Sequence, residues 1–138
     1  MEWDTNYENG LIWQDLQHKE LIENMYSLLD AIVDSNTDKD SFYKTVNFVR
    51  KYYKSHFLIE EKYMREFDYP LIGAHLIQHK YFIDEFNAFI SQCIYRENES
   101  SVELLNKLTS WFYNHIQSTD KILAKFILKN QSKENSDE

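Results

Sequence analysis

The chain is short of everything that builds turns and cross-links: 138 residues contain two glycines, one proline and one cysteine. So little glycine and proline leaves almost no material for the tight turns of a sheet protein. The lone Cys93 cannot form an internal disulfide, and its place on a helix reads as a small buried apolar residue rather than a redox switch. A chain of this length can bury one core without such staples. No apolar run approaches the ~18 residues that a membrane helix needs, because charged residues interrupt each one. Basic side chains are also scarce. Fifteen Lys and Arg stand against 23 Asp and Glu, a net charge of −8, so the surface repels nucleic acid phosphates and anionic lipid. The opening MEWDTNYENG has neither the basic segment nor the apolar core of a signal peptide. The expectation is one soluble cytoplasmic domain with no nucleic acid and no membrane partner.

What the chain does have is helical periodicity almost throughout. A first helix is expected over about Ile12 to Asp34, with His18, Leu21, Ile22, Met25, Leu29 and Ile32 on its inner face. A second is expected from Lys39 to Glu66, its stripe running Phe42, Val46, Val49, Tyr53, His56, Phe57, Glu60 and Met64. Pro70 cannot continue that helix but suits the first turn of the next, expected from Leu71 to about Tyr95. Its inner face carries Ile72, His75, Leu76, His79, Phe82, Ile83, Phe86 and Ile90. A fourth helix is expected from Ser101 to Lys129, burying Leu105, Leu108, Phe112, His115, Ile116, Ile122, Leu123 and Phe126. Four long helices with short loops are most simply an all-α, up-down-up-down four-helix bundle. An N-terminal arm (residues 1–11) precedes it, the domain extends to about residue 130, and the polar tail 131–138 is expected to fray.

All five histidines fall on those inner faces, together with two carboxylates: His18, His56-x3-Glu60, His75-x3-His79 and His115-x4-Asp120. A lone histidine on an apolar face is most often a hydrogen-bonded core residue. Five at one level of a bundle are a different matter. The start of the first helix, the end of the second, the start of the third and the end of the fourth share one end of an antiparallel bundle. At ~1.5 Å rise per residue the depths of His18, Glu60, His75 and Asp120 agree to within about two turns. Spacing of i,i+4 puts two side chains on one face, and buried carboxylates are costly unless paired or on metal. Five nitrogens and two carboxylates that can bridge are too many donors for one zinc and suit two irons. Glu61, beside Glu60, reads as a solvated surface charge.

One spacing is irregular. Five residues turn about 140° around an α-helix, so His115 and Asp120 cannot both face inward on regular geometry. A π-type turn would restore both to one face, and such bulges are frequent at functional sites.

These residues resemble the hemerythrin family, in particular its bacterial single-domain members. The matching segments are Trp3-Asp4 with Gly10, Asp15-Leu-Gln-His18-Lys, His56-Phe-Leu-Ile-Glu60-Glu-Lys-Tyr-Met64, Tyr69-Pro70, His75-Leu-Ile-Gln-His79, and Trp111 to Asp120. Gln14 departs from the pattern, standing where the family usually has an aliphatic residue. The resemblance implies a non-heme di-iron centre with a bridging oxo or hydroxo group. It assigns His75, His79 and His115 to one iron, His18 and His56 to the other, and Glu60 and Asp120 to both. The two-histidine iron is then the open one, where dioxygen binds reversibly as hydroperoxide. On that reading the chain is an oxygen-binding protein for transport, storage or delivery, and not an enzyme.

Reversible binding needs a dry wall around the open position. Helical spacing places Leu21, Ile22, Phe57, Trp111, Phe112 and Ile116 beside the histidines, all large and apolar, as an oxygen pocket. Tyr53 and Tyr113 stand close enough in sequence to reach its rim. The alternative is a di-iron redox enzyme, marked by a polar proton path, or an oxygen or redox sensor acting through a separate partner. Iron storage is a third reading. A ferritin-like site is disfavoured, because those sites use Glu-x-x-His pairs and this chain has none.

Overall fold

The computed structural model describes residues 3–35 and 38–136, with the side chains of the last helix as far as residue 131. A 3-10 turn at Thr5–Tyr7 leads into α1 (Ile12–Val33), α2 (Lys39–Glu66), α3 (Ile72–Gln92) and α4 (Asn98–Trp111); a π-helical turn at Phe112–Ile116 then joins α4 to α5 (Thr119–Ser136). With α4, the π turn and α5 forming the fourth helix, the fold is an up-down-up-down four-helix bundle, and no strand occurs among the described residues. α1 lies against both α2 and α4, and α2 against α3.

The helix ends follow from local chemistry. α1 has no side-chain cap of its own. Instead Asp15, one turn inside, accepts from the backbone N–H groups of Asn9 at 2.8 Å and Gly10 at 3.0 Å, which folds the arm back over the helix start. Gly10 sits at φ +94°, a conformation that side chains rarely adopt. α2 starts on the carboxylate of Asp38, which accepts from Ser41 N–H at 2.7 Å. It ends with Asp68 in the left-handed region at φ 51°, and Tyr69 N–H reaches back to the Met64 carbonyl at 2.9 Å. That closure lets Pro70 follow at once.

The expected boundaries of α2 hold, and the other helices shift at their ends. α3 starts one residue later and stops at Gln92, because Cys93 turns extended at φ −75°, ψ 119°. α4 starts earlier, at Asn98, and the Ser100 hydroxyl accepts from Arg96 N–H at 2.9 Å ahead of it. α5 continues to Ser136 rather than stopping near Lys129. Helix therefore carries on into the polar tail, whose last two residues lie outside those described.

Two apolar clusters form the core, one built around Leu21, Met25, Phe42, Val49, Leu104 and Phe112, the other around Leu11, Met64, Tyr69, Leu123 and Ile127. Every helix crosses from one cluster to the other and presents a polar residue on the way: His18 on α1, His56 and Glu60 on α2, His75 and His79 on α3, His115 and Asp120 on the fourth. Most of the expected inner faces are buried. Within them Leu28 and Leu104 are buried where Leu29 and Leu105 are only partly covered.

Ile122 is a larger correction: expected in the core, it is 51% exposed. The π turn explains it. Gln117 N–H bonds to the Phe112 carbonyl at 2.9 Å, five residues back, and α-helical bonding resumes with Ile122 N–H on Ser118 at 3.1 Å. The wide turn begins at Phe112, earlier than the His115 to Asp120 interval itself, and it advances the register of everything after it. Asp120, Leu123, Ala124 and Ile127 swing inward, and Ile122 swings out.

Candidate metal centre

The structure brings all seven sequence-derived donors into one layer, each no more than 2% exposed. They form two overlapping groups. Glu60, His75, His79, His115 and Asp120 make one, and His18, His56, Glu60 and Asp120 make the other; within each group the potential ligand atoms lie within 4.8 Å of one another. Both carboxylates belong to both groups.

All five imidazoles point Nε2 inward. His18 Nε2 stands 3.1 Å from Asp120 Oδ2, and His56 Nε2 is 3.4 Å from Glu60 Oε2. On the other side His75 and His79 stand 3.2 and 3.0 Å from Glu60 Oε1, and His115 is 2.9 Å from Asp120 Oδ1. Glu60 thus turns one oxygen toward each group. Several of these atoms have no hydrogen bond of ordinary geometry: His56 Nε2, His115 Nε2 and Asp120 Oδ1 are buried and unpartnered. Buried polar atoms left in this state are expensive, and a cation at the centre of such nitrogen and oxygen donors removes the cost. The cluster fits iron, which takes imidazole and carboxylate together.

The outward nitrogens are tied down as well. His56 Nδ1 meets Gln17 Oε1, and His115 Nδ1 meets Gln78 Oε1 at 2.7 Å, with Thr119 donating to the same Gln78 oxygen at 2.9 Å. An amide oxygen accepts only, so each Nδ1 donates a proton outward and Nε2 is the nitrogen that faces the centre. Glu61 is not the free surface charge expected of it. Its side chain is 22% exposed and one oxygen lies 3.4 Å from His79 Nδ1.

Electrostatics in the metal-free cluster are mutual. Burial opposes charge on His56 and His75, but Glu60 and Asp120 more than offset it and raise them to about 10 and about 9. Burial wins at His18 and His79, which are lowered. Burial alone would raise both carboxylates; the surrounding imidazoles instead hold Glu60 and Asp120 well below the usual range. Protons therefore occupy in this cluster the place that a cation would take.

Residues 10–127 match the model of the hemerythrin HHE cation binding domain. The chain belongs to the hemerythrin family. Among known proteins it is similar to a bacteriohemerythrin of Stenotrophomonas maltophilia, 29% identical over 88% of this chain and 78% of that one. It is also similar to bacteriohemerythrins of Clostridium acetobutylicum, 27% identical over 86% of this chain and 95% of that one, and of Pseudomonas aeruginosa, 27% over 86% and 75%. No helix among the described residues is long and apolar enough to cross a membrane.

Around this hemerythrin-family cluster, the six apolar residues expected as a pocket are all buried in one core cluster: Leu21, Ile22, Phe57, Trp111, Phe112 and Ile116. Phe57 stacks on His79 at 3.8 Å and Trp111 on His115 at 3.9 Å, so these two residues fix imidazole planes. The N-terminal arm packs on the same apolar cluster, with Tyr7 edge-on to Phe112 at 5.0 Å and Trp3 edge-on to Tyr7 at 5.7 Å.

Both expected rim tyrosines touch residues expected as the pocket, Tyr53 on Phe57 at 6.1 Å and Tyr113 edge-on to Phe112 at 5.2 Å, but neither stacks on a histidine ring. Tyr113 is 52% exposed, and Tyr53 packs on Phe57, Phe82 and Phe86. Tyr52 is the one that arrives, stacked on His56 at 4.9 Å. Its spacing of four from His56 was the available signal. The second residue missed is Gln14, fully buried, with its amide donating to Glu60 Oε2 at 2.9 Å.

Proposed function

We propose that the chain is a non-heme di-iron protein that binds dioxygen reversibly and acts as a carrier or store rather than as an enzyme. One observation carries this reading. Two donor groups share both carboxylates, yet one group contains three histidines and the other two. His75, His79 and His115 would hold the first iron, His18 and His56 the second, and Glu60 and Asp120 would bridge them. The shortfall of one histidine leaves the second position able to take an outside ligand. Bound there, a ferrous pair supplies the two electrons that reversible dioxygen binding draws on. The protein supplies the rest: Nε2 lone pairs aimed inward by Gln17 and Gln78, and an apolar wall of Leu21, Ile22, Phe57, Trp111, Phe112 and Ile116 that keeps water and external protons out.

The test is to load purified protein anaerobically with ferrous iron, count iron per chain, admit oxygen, and record the visible spectrum before and after flushing with argon. Two irons and a charge-transfer band that appears with oxygen and vanishes under argon support the reading. Irreversible oxidation at once would favour the second reading, a di-iron redox enzyme or sensor, for which the buried phenol of Tyr52 beside His56 is the supporting observation.

A further inference from the structure

Inside the bundle, Gln14 is fully buried and touches the layer of donors without being one of them. Its Nε2 donates to Glu60 Oε2 at 2.9 Å, and its Oε1 accepts from Asn9 Nδ2 at 2.9 Å. The amide orientation follows from its partners: a carboxylate oxygen accepts, so the group facing it must be the NH2, which leaves the carbonyl for Asn9. Asn9 is in turn held by its backbone N–H on Asp15 at 2.8 Å. The arm, the start of α1 and the shared carboxylate are thus one hydrogen-bonded chain.

The bonded oxygen is the informative one. Glu60 Oε2 faces His56 at 3.4 Å, whereas Oε1 faces His75 and His79. A hydrogen bond to Oε2 alone fixes the rotation of the carboxylate about its terminal bond, a torsion that is otherwise broad. Without it both oxygens could turn to the three-histidine side, where three imidazoles attract them.

We propose that Gln14 is a positioning residue for Glu60, keeping Oε2 on the two-histidine side, and that it thereby sets how firmly the second of two irons is held. This rests on the two-iron reading above. The experiment is an anaerobic ferrous titration against a competing chelator for wild type and Gln14→Met, which keeps the length of the side chain and removes the donor. Difference infrared spectra of the metal-free proteins run alongside. The expected result is a first binding step close to wild type and a second step weakened about 10- to 100-fold, the usual effect of removing a hydrogen bond from outside the ligand set. A shifted carboxylate stretch should accompany it in the metal-free variant, a change that a loss of packing alone would not give.

A wild type with two irons and a variant whose two steps and carboxylate band match it would overturn the role of Gln14 and leave the two-iron reading standing. A wild type that takes one iron or none would overturn both. If Gln14→Met does not fold, Asn9→Ala removes only the anchor of Gln14. It should weaken the second step in the same direction by less, and an unchanged second step there would also refute the proposal.

Discussion

Tyr52 lies almost parallel to the His56 imidazole, ring centroids 4.9 Å apart and planes 13° apart, with a buried hydroxyl that has no hydrogen-bond partner. Burial, with the charges of Asp120 and Glu60 adding to it, pushes this phenol well above its ordinary range, so it stays protonated at neutral pH. The indole of Trp111 is near enough to act on it in the opposite direction, yet Trp111 Nε1 is itself unpartnered. A hydrogen bond needs alignment as well as proximity, and the two groups lack it.

A buried donor without an acceptor is a standing cost, and removing it should be favourable. Tyr52→Phe keeps the stacked ring and should stabilise the metal-free protein by about 1 kcal/mol, or about 3 °C in melting temperature. Thermal unfolding by circular dichroism reads this directly. A lower melting temperature than wild type would show that the hydroxyl is bonded after all.

The two donor groups should differ in how they respond to losing one histidine. His18→Ala removes one of two imidazoles from its group and leaves His75, His79 and His115 intact. It should retain about one iron per chain and lose reversible oxygen binding. His79→Ala strikes the larger group and also removes the contact of Glu61 with an imidazole, leaving that carboxylate with Arg65 at 3.7 Å, so it should lose iron more severely. Equal iron content and equal oxygen binding in the two variants would refute the division into three-histidine and two-histidine halves.

Periodicity alone located most of this arrangement, and where it failed the reason is local. The inner faces of α1, α2 and α3 were legible because an apolar stripe recurs at helical spacing past each histidine. Ile122 was not, because a single π turn upstream changes the register of every later residue. That turn itself was legible at the pair it serves, since His115 and Asp120 five apart cannot share a face of a regular α-helix. Gln14 and Tyr52 were missed for a different cause. Gln14 lies next to the donor layer without any apolar period to mark it, and Tyr52 and Tyr53 are both buried, so only the spacing of four from His56 singles out Tyr52 as the one on the imidazole. Glu61 was assigned to solvent because its neighbour Glu60 took the inward position. Its contact with His79 arises across helices and has no mark in the local sequence.

Acid stability should carry a contribution from the start of α2. Hydrogen bonds from Ser41, backbone first and then hydroxyl, lower the pKa of Asp38 in the folded protein. A folded pKa below the unfolded value means stability that is present above the unfolded pKa and is lost as pH falls through the folded one. Asp38→Ala should therefore lower the melting temperature at pH 7, and the difference from wild type should shrink at acid pH once the wild-type carboxylate is protonated. Asp38→Asn, which retains a cap but no charge, should fall between the two at neutral pH. A wild-type to Asp38→Ala gap that stays constant from pH 7 down to pH 2 would show that the carboxylate charge plays no part.

Phe112 offers a test of the wall that does not depend on touching a histidine. It is fully buried at the first position of the π turn, and Tyr7 from the arm closes on its edge at 5.0 Å. Phe112→Ala should cost about 3–5 kcal/mol through lost burial and the cavity left behind, a large share of the 5–15 kcal/mol typical of a domain. The preceding residue Trp111 stacks on His115, so a cavity at Phe112 should ease the entry of water toward the cluster. Phe112→Leu fills most of the space and should cost much less, about 1–2 kcal/mol. Urea unfolding of the metal-free proteins gives the stability differences, and the rate at which ferrous-loaded protein oxidises irreversibly in air gives the effect on the wall. The rate should rise in Phe112→Ala and stay near wild type in Phe112→Leu. Equal oxidation rates in all three, alongside the expected loss of stability, would show that Phe112 supports the core without excluding water from the site.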